Sequence, residues 1–469
     1  MKKYQRLAQQ IADQIELGVW QPGDKLPSLR EQVVNSGMSF MTVGHAYQML
    51  ESQGRIVARP QSGYYVAPRP VKTQHIEPVQ ILRDEAVDIN SYIFDVLQAS
   101  RDPSVLPFAS AFPDPQLFPL RQLNRSLANV SKTATAISVI ENLPPGNVAL
   151  RHAIARRYAL QGITISPDEI VITAGALEAL NLSLQAVTEP GDWVIVENPC
   201  FYGALQALER LRLRALSVAT DVQEGIDLEA LEQALRDYPV KACWLMTNSQ
   251  NPLGFTLSAE KKARLVELLA RYQVTLIEDD VYSELYFGRE KPLPAKAWDR
   301  DDRILHCSSF SKCLVAGFRI GWVAAGKHAR RIQQLQLMST LSTSSPIQLA
   351  LVDYLEAHRY DAYLRRLRRT LAERKQQAWQ SLLRHLPAEV KIYHNNSGYF
   401  LWLALPAPLD AGKLSEQALE HHISIAPGKM FSTSDSWSRY FRFNTSWAWG
   451  EREEQAVITL GKLIRQAMK

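Results

Sequence analysis

Short apolar runs alternate with longer helical segments over most of this chain, from about residue 106 onward. The runs are three to five residues long and carry no acidic or basic side chains other than one histidine; they lie at 194–196, 242–246, 274–277, 304–306 and 322–325. Strands that are buried on both faces of a sheet have this composition. Strands separated by helices predict an α/β domain with a mostly parallel sheet. Two further strands are predicted at 399–405 and 440–444, after a helix-rich stretch.

Residues 1–68 predict a separate unit that begins with three helices. The first helix is marked by a stripe of apolar residues four positions apart, Leu7, Ile11 and Ile15. Ser28 and Glu31 have the spacing of a capping box, which begins a second helix. Ser39 is a favourable N-cap for a third helix.

Two short strands, at 55–58 and 64–67, follow the third helix and are joined across a turn. Three helices and a hairpin, in this order, are typical of a winged helix-turn-helix. The first 70 residues carry eight Lys/Arg against five Asp/Glu. A modest basic excess suits a small domain that binds nucleic acid.

The chain between these parts, residues 69–105, is predicted to be a linker because prolines interrupt it and its polar residues show no period. The remainder, 106–469, is predicted to be one large domain. None of the four cysteines forms a CxxC pair, which argues against a zinc site or a disulfide framework and suits a reducing compartment. No apolar run approaches the roughly 18 residues of a membrane span. We therefore expect a cytoplasmic protein without a metal site.

The strongest chemical signal is a lysine, Lys312, that follows a predicted strand and is preceded by Ser309 and Ser311. A lysine amine condenses with an aldehyde to form a Schiff base. Hydroxyl groups and a nearby guanidinium, that of Arg319, are suited to a phosphate. The pattern therefore predicts a site for a cofactor with both an aldehyde and a phosphate.

Other motifs follow neighbouring strands. Asp279 comes at the end of a buried run, where a carboxylate can hold the proton on a pyridine nitrogen. The helix that opens at Ala176 and Leu177 offers backbone N–H groups to a phosphate. Arg442 is an isolated charge in an apolar strand, and a buried arginine requires a carboxylate from protein or ligand.

Residues 110–465 resemble the class I aminotransferases of fold type I, which bind pyridoxal 5′-phosphate (PLP). The resemblance implies a large domain with a mostly parallel sheet and a small α/β domain. The resemblance implies that Lys312 forms the Schiff base and that Asp279 pairs with the pyridinium nitrogen. It also implies that Arg442 binds a substrate carboxylate. The other residues that it assigns to the cofactor are Asn251 and Tyr282 at the ring oxygen, Phe201 stacked on the ring, and Ser309, Ser311, Arg319, Ala176 and Leu177 at the phosphate.

The first 67 residues resemble the GntR family of regulators, through Pro22–Arg30, Gly37–Val43 and Arg59–Gly63. A GntR head on an aminotransferase-like body is similar to the MocR subfamily. The resemblance implies that Arg30 and the third helix contact double-stranded DNA. The residues that it places at the DNA are Arg30, Ser39, Phe40, Thr42 and His45, together with Gln61, Ser62 and Gly63 of the wing. GntR heads often have arginine where Phe40 stands, so Thr42 and His45 are the candidates for base contacts.

These observations predict a PLP-dependent transcription regulator that senses an amino acid or amine and binds DNA as a homodimer. The alternative is an active class I aminotransferase with an accessory DNA-binding head. Many relatives have tyrosine where Glu141 stands, which argues against efficient transamination but not against PLP. A structural module with a vestigial site is a third hypothesis.

Overall fold

The structure is a computed structural model in which the chain divides into two compact units, residues 1–74 and 75–469. It describes residues 3–16, 19–20, 23–59, 62–67, 79–80, 93–94, 98, 102–133, 135, 137–357 and 360–469. The first unit is referred to below as the head and the second as the body.

The head has three helices, α1 (Lys3–Glu16), α2 (Leu29–Ser36) and α3 (Phe40–Ser52). The capping box is formed as predicted, because the Ser28 side chain accepts from the Glu31 N–H and the Glu31 carboxylate accepts from the Ser28 N–H. Ser39 is the N-cap of α3. Apolar side chains of all three helices and the hairpin form one core, in which Leu7, Ile11, Val43, Ala46, Tyr47 and Leu50 are buried.

The hairpin of the head pairs β1 (Ile56–Arg59) with β2 (Gly63–Val66) in antiparallel register. Each strand lies one residue away from its predicted position. Pro60 and Gln61, at the predicted turn, lie outside the described residues. The winged helix-turn-helix architecture is confirmed.

The body is built on a large sheet whose strands are β3 (Val79–Gln80), β5 (Ile170–Thr173), β6 (Trp193–Asn198), β7 (Arg214–Asp221), β8 (Gly225–Ile226), β9 (Val240–Leu245), β10 (Thr275–Asp279), β11 (Ile304–Ser309) and β12 (Gly321–Ala324). Their order is β3-β7-β6-β9-β10-β11-β12-β5, with β8 paired to β7. The neighbouring strands β7, β6, β9, β10 and β11 run parallel. β12 is antiparallel to both of its neighbours, and β3 and β8 are antiparallel to β7. The predicted, mostly parallel sheet is therefore confirmed.

The parallel strands place their carboxyl ends at one edge of this sheet, and this edge carries the site residues. Helices flank the sheet, and apolar side chains of several of them pack on strands that are largely buried. These helices are α4 (Leu120–Thr133), α5 (Ser138–Glu141), α6 (Val148–Ala159), α7 (Ala176–Val187), α8 (Tyr202–Arg210), α9 (Leu228–Asp237), α10 (Ala259–Arg271), α11 (Ala329–Ser339) and α12 (Ser345–Ala357).

A second, smaller sheet in the order β13-β14-β17-β16 completes the body. It contains β13 (Lys391–Tyr393), β14 (Phe400–Ala404), β16 (Ala426–Pro427) and β17 (Tyr440–Asn444), and it packs on α13 (Tyr360–His385), α14 (Ala411–Glu420) and α15 (Glu451–Ala467). A two-stranded pair joins β4 (Leu106–Pro107) to β15 (Ile423–Ser424). Most apolar residues of these elements form a core of their own, whereas Phe400 of β14 and Leu364, Leu367 and Leu371 of α13 belong to a core of the large sheet.

The segment predicted to be a linker contributes to the body. β3 lies within it and pairs with Ser217 and Leu216 of β7, and Ile93 is buried. Most of residues 69–101 lie outside the described part of the chain. Within the described residues no helix is long and apolar enough to cross a membrane, and no cluster of His, Cys, Asp and Glu has the arrangement of a metal site.

Candidate functional site

Lys312 lies just after β11, at the carboxyl edge of the large sheet. Its Nζ donates a hydrogen bond of 2.8 Å to the Ala111 carbonyl and lies 3.9 Å from the centre of the Phe112 ring. Burial, together with the positive charges of Arg442 and Arg319, lowers the pKa of Lys312 to about 7, and Asp279 acts in the opposite direction. A substantial fraction of this amine is therefore unprotonated, and nucleophilic, near neutral pH.

Asp279 is the last residue of β10 and is buried. Burial raises the pKa of Asp279 to about 7, and the adjacent Asp280 carboxylate adds to this effect. Its Oδ1 is buried without a hydrogen-bond partner among the described residues. An acceptor left unpaired in a protein interior costs free energy unless a ligand supplies the donor.

A network of hydrogen-bonded, buried polar side chains begins at Asp280, the residue after Asp279. It was not predicted from the sequence. Asp280 accepts from the Asn248 Nδ2 at 3.0 Å, and its Oδ2 lies 2.9 Å from the His306 Nε2. The His306 Nδ1 is 2.6 Å from the Tyr158 hydroxyl, and Lys262 donates to the Asn248 Oδ1 at 2.6 Å. The only available signals were the Asp279–Asp280 doublet and a histidine inside an apolar strand.

A small cradle lies where α7 begins. Gly175 has a φ of 87°, which favours glycine, and a Cβ added there would lie 2.6 Å from the Arg319 Nη2. A Cβ added to Gly321 would lie 2.6 Å from the Ala176 backbone nitrogen. The N–H groups of Ala176 and Leu177 belong to the first turn of α7, where backbone donors have no partner inside the helix. The Arg319 Nη2 also donates to the Ala174 carbonyl at 3.3 Å.

The two predicted serines border this cradle. The Ser309 hydroxyl accepts from the Ser311 N–H at 3.4 Å. The Ser311 hydroxyl is buried and has no hydrogen-bond partner among the described residues. The cradle therefore combines a guanidinium, hydroxyls and helix N–H groups, which is the donor set that binds a phosphate.

Arg442 lies on β17 of the small sheet and is 1% exposed. It donates to the Asn251 Oδ1 at 2.5 Å and to the Ala109 carbonyl at 2.7 Å, and its Nε has no partner. The guanidinium stands over the Phe400 ring at 4.3 Å. No carboxylate of the described residues forms an ion pair with it, so this buried cation lacks a counter-charge on the described part of the protein.

Tyr282 and Phe201 line the same region. Tyr282 is buried with its ring at right angles to those of Tyr399 and Phe400, and the Tyr399 hydroxyl donates to the Ala111 carbonyl that also accepts from Lys312. The Phe201 ring bends back over Gly203, where an added Cβ would lie 2.4 Å from it. Tyr399 was not among the predicted residues.

The predicted DNA contacts of the head lie on α2, α3 and the hairpin. Arg30 is exposed in the first turn of α2, and His45 is exposed on α3 with its ring 5.9 Å from that of Tyr4. Ser39 accepts from the Thr42 N–H, and the two hydroxyls are 2.8 Å apart, so both are engaged at the start of α3.

In the wing, the Ser62 hydroxyl is 2.7 Å from that of Tyr65, and Gly63 begins β2 with a φ of 108°. Gln61 lies outside the described residues. The hydroxyl pairing and the left-handed glycine fix the shape of the hairpin on this side.

Two family models match the chain. Residues 124–454 match aminotransferases of class I and II, and residues 3–66 match bacterial regulatory proteins of the gntR family. Over its full length the chain is 81% identical to the HTH-type transcriptional regulator YdcR of Escherichia coli and 34% identical to YjiR of the same organism, and each relative is covered completely.

Solved structures resemble the body. A multiple substrate aminotransferase from Thermococcus profundus is 26% identical with a TM-score of 0.75, over 81% of this chain and 95% of that one. The α-aminoadipate aminotransferase LysN from Thermus thermophilus is 27% identical with a TM-score of 0.74, over 82% of this chain and 98% of that one. The chain belongs to the class I and II aminotransferase family and, because a gntR-family head precedes that domain, it is a DNA-binding transcription regulator of the MocR architecture.

Proposed function

We propose that this regulator holds PLP at Lys312 and uses it to sense an amino acid or another amine. The observation that carries the proposal is a convergence of groups: the Lys312 amine lies in one buried site with Asp279, which has an unpaired oxygen, and with the guanidinium groups of Arg319 and Arg442. Burial alone does not mark a reactive lysine, because Lys375 is also buried and its pKa is also lowered to about 7. The lowered pKa of Lys312 makes its amine nucleophilic near neutral pH, as a lysine that forms a Schiff base requires.

The residues present fit the cofactor. The unpaired Asp279 Oδ1 would accept a hydrogen bond from a protonated pyridine nitrogen. The unpaired Ser311 hydroxyl would donate one to a phosphate oxygen. Gly175 and Gly321 let Arg319 and the backbone at the start of α7 approach closely, because a Cβ at either glycine would lie within 2.6 Å of an atom there. Ser309 and the N–H groups of Ala176 and Leu177 would complete the phosphate site. Asn251 and Tyr282 would contact the ring oxygen, with Phe201 against the ring.

When bound, PLP supplies an aldehyde that bonds covalently to amines and a ring that withdraws electrons. The Lys312 amine would hold the cofactor, and the carboxylate of Asp279 would hold a proton at the ring nitrogen. Arg442 binds a carboxylate, if the effector carries one, and thereby orients the amine of the effector. The aromatic rings of Tyr282, Tyr399 and Phe400 exclude water from this part of the site.

The amine of an effector would compete with the Lys312 amine for the same position. The carboxylate of the effector would also compete for the Arg442 guanidinium, which joins the small sheet to the Asn251 loop. A ligand that makes different contacts in two conformations shifts the population between them. Such a shift in the body would change how the DNA-binding heads are presented.

We propose a homodimer, because paired heads suit paired half-sites on DNA. Large apolar side chains are exposed on the body near the start of α7 and the end of α11; they include Leu177, Leu337, Met338 and Leu341. Exposed apolar surface of this kind is typical of an association site. On the head, we propose that Arg30, Ser39, Phe40, Thr42, His45, Gln61, Ser62 and Gly63 face the DNA.

A second candidate function is transamination by the body. The electrostatic proximity of Lys312, Asp279 and Arg442 favours it, and the solved relatives include aminotransferases. Steady conversion of a common amino acid and oxo-acid pair, abolished by Lys312→Ala, would support it. Binding of the same amino acid without turnover would leave sensing as the role of the site.

The cofactor proposal is tested by absorbance. The purified full-length protein should take up PLP with a visible band that survives dialysis, and Lys312→Ala should lose that band while its circular dichroism is unchanged. Lys327→Ala, which removes an exposed lysine of the body, is the matched control and should keep the band. An unchanged band in the Lys312 variant would remove Lys312 from this role.

A further inference from the structure

The outward face of α3 carries apolar side chains at the position where a DNA-binding helix meets its target. Phe40 is 52% exposed and Met41 is 66% exposed. They are the first two residues of α3, and His45 and Gln48 continue the same exposed face. Single exposed apolar residues are ordinary. Two large ones side by side, on the helix that enters the DNA groove in this class of domain, form an apolar surface that can contact the DNA.

Few polar side chains of α3 are available for hydrogen bonds to the edges of DNA bases. The segment Phe40–Ser52 contains no lysine and no arginine, so it lacks the side chains that most often pair with guanine in the major groove. The hydroxyls of Ser39 and Thr42 are bonded to each other at 2.8 Å. His45 and Gln48 are the polar side chains that remain exposed on this face and could contact DNA.

Gly44 lies in the middle of α3, on the side where Phe40 and Gln48 stand one turn before and after it. A Cβ added to Gly44 would meet no atom within 4 Å, so the packing of the head does not require glycine. Glycine inside a helix is less favourable than alanine. A bare stretch of helix backbone between exposed side chains allows a ligand to approach closely.

We propose that α3 reads thymine-containing base pairs by apolar contact in the major groove. Phe40 and Met41 pack against the 5-methyl groups of thymine, and Gly44 lets the helix lie close to the base edges. The methyl group is the one apolar feature that a base pair presents in that groove, and phenylalanine is among the side chains that contact it. The inference rests on the DNA-binding role of the head and adds the chemistry by which it selects a sequence.

The experiment begins with selection of duplexes from a random-sequence pool by the full-length protein. Each thymine of a selected duplex is then replaced by deoxyuridine, which keeps the base pairing and the O4 acceptor but lacks the methyl group. We expect at least one replacement in each half-site to weaken binding about fourfold, since burial of one methyl-sized group is worth about 0.8 kcal/mol. Replacements outside the half-sites should have no effect.

Variants assign the effect to its residues. For Phe40→Ala, and likewise for Met41→Ala, replacement of one particular thymine by uridine should no longer change the affinity. Phe40→Leu should keep the preference for thymine at that position. Val34→Ala, which removes an exposed apolar side chain from α2, is the control and should also keep it. Gly44→Ala should raise the melting temperature of the head and yet weaken binding to the selected duplex.

Wild-type protein that selects a sequence but binds every uridine duplex as tightly as the thymine duplex would overturn the proposal. So would selection of a consensus without thymine in the half-sites, or a Gly44→Ala variant that binds as well as wild type. Absence of binding to any duplex in the pool would instead contradict the DNA-binding role of the head. The two failures are therefore distinguishable.

Discussion

The Nη1 of Arg442 donates to the Asn251 Oδ1 over 2.5 Å, and this bond joins the small sheet to the loop that follows β9. The bond occupies one donor of the arginine that we propose for ligand carboxylates and the amide that we propose for the ring oxygen. A carboxylate that binds the Nη1 of Arg442 must therefore share or displace this contact. We expect such binding to be coupled to the join between the two parts of the body.

Arg442→Ala should weaken binding of a carboxylated effector about ten- to a hundredfold, because hydrogen bonds to charged groups contribute about 1.5–3 kcal/mol. The band of the bound cofactor should remain, because Lys312 is untouched. The measurement is an absorbance titration of amino acids. The decarboxylated amine of the same side chain is the control ligand, and it should bind wild type and variant alike. Equal affinity for the amino acid in both proteins would contradict the assignment.

Amino acids or amines that alter the cofactor band should also alter DNA affinity. Coupling free energies between sites are typically about 1–3 kcal/mol, so a change of roughly 5–150-fold in the Kd for DNA is expected. Fluorescence anisotropy with the selected duplex, with and without each reactive ligand, measures it. Ligands that react fully at the cofactor but leave both the affinity and the bend of the DNA unchanged would refute sensing and leave PLP with a structural role.

Arg30→Ala should weaken binding of the full-length protein to duplex DNA and make it less dependent on salt. A phosphate contact releases condensed counterions, so loss of one contact lowers the slope of log K against log salt by about 1. Binding is measured from low to moderate salt. Lys413→Ala removes the same charge from an exposed site on α14 of the body, and its slope should equal that of wild type. An unchanged slope in the Arg30 variant would place Arg30 away from the phosphates.

Lys375 of α13 should make stability depend on pH. It is 1% exposed and donates to the carbonyls of Asn395 and Ser397, both at 2.8 Å, and burial lowers its pKa to about 7. Between about pH 7 and its unfolded pKa near 10.4, the unfolded chain keeps a proton that the folded chain has lost. Stability contributed by this group therefore rises with pH across that window and is constant below it.

The measurement is the free energy of unfolding of Lys375→Met against wild type from pH 7 to 9. Wild type should gain up to about 1.4 kcal/mol per pH unit relative to the variant, because one proton is linked to unfolding. Lys327→Met, at an exposed lysine that donates to the Asp301 carbonyl, should follow wild type. Parallel curves for wild type and Lys375→Met would show that Lys375 keeps its proton when folded.

Local patterns in the sequence were sufficient for much of the fold. Ser28, Glu31 and Ser39 fixed the starts of two helices, since capping depends only on residues within one turn. Short apolar runs located β6, β9, β10, β11 and β12. The strand β7 was missed because Ser217 and Thr220 interrupt its apolar pattern, yet both are buried in the sheet.

The sequence by itself determined the α/β class, the winged head and the chemistry available at Lys312, Asp279 and Arg442, because residue type and spacing carry that information. Only the tertiary structure decided which of these side chains meet. The contact of Arg442 with Asn251, the unpaired Oδ1 of Asp279 and the burial of Lys375 depend on residues far apart in the chain. No periodic pattern specifies such contacts, because they arise from the order of strands in the sheets and from the packing of the two cores of the body.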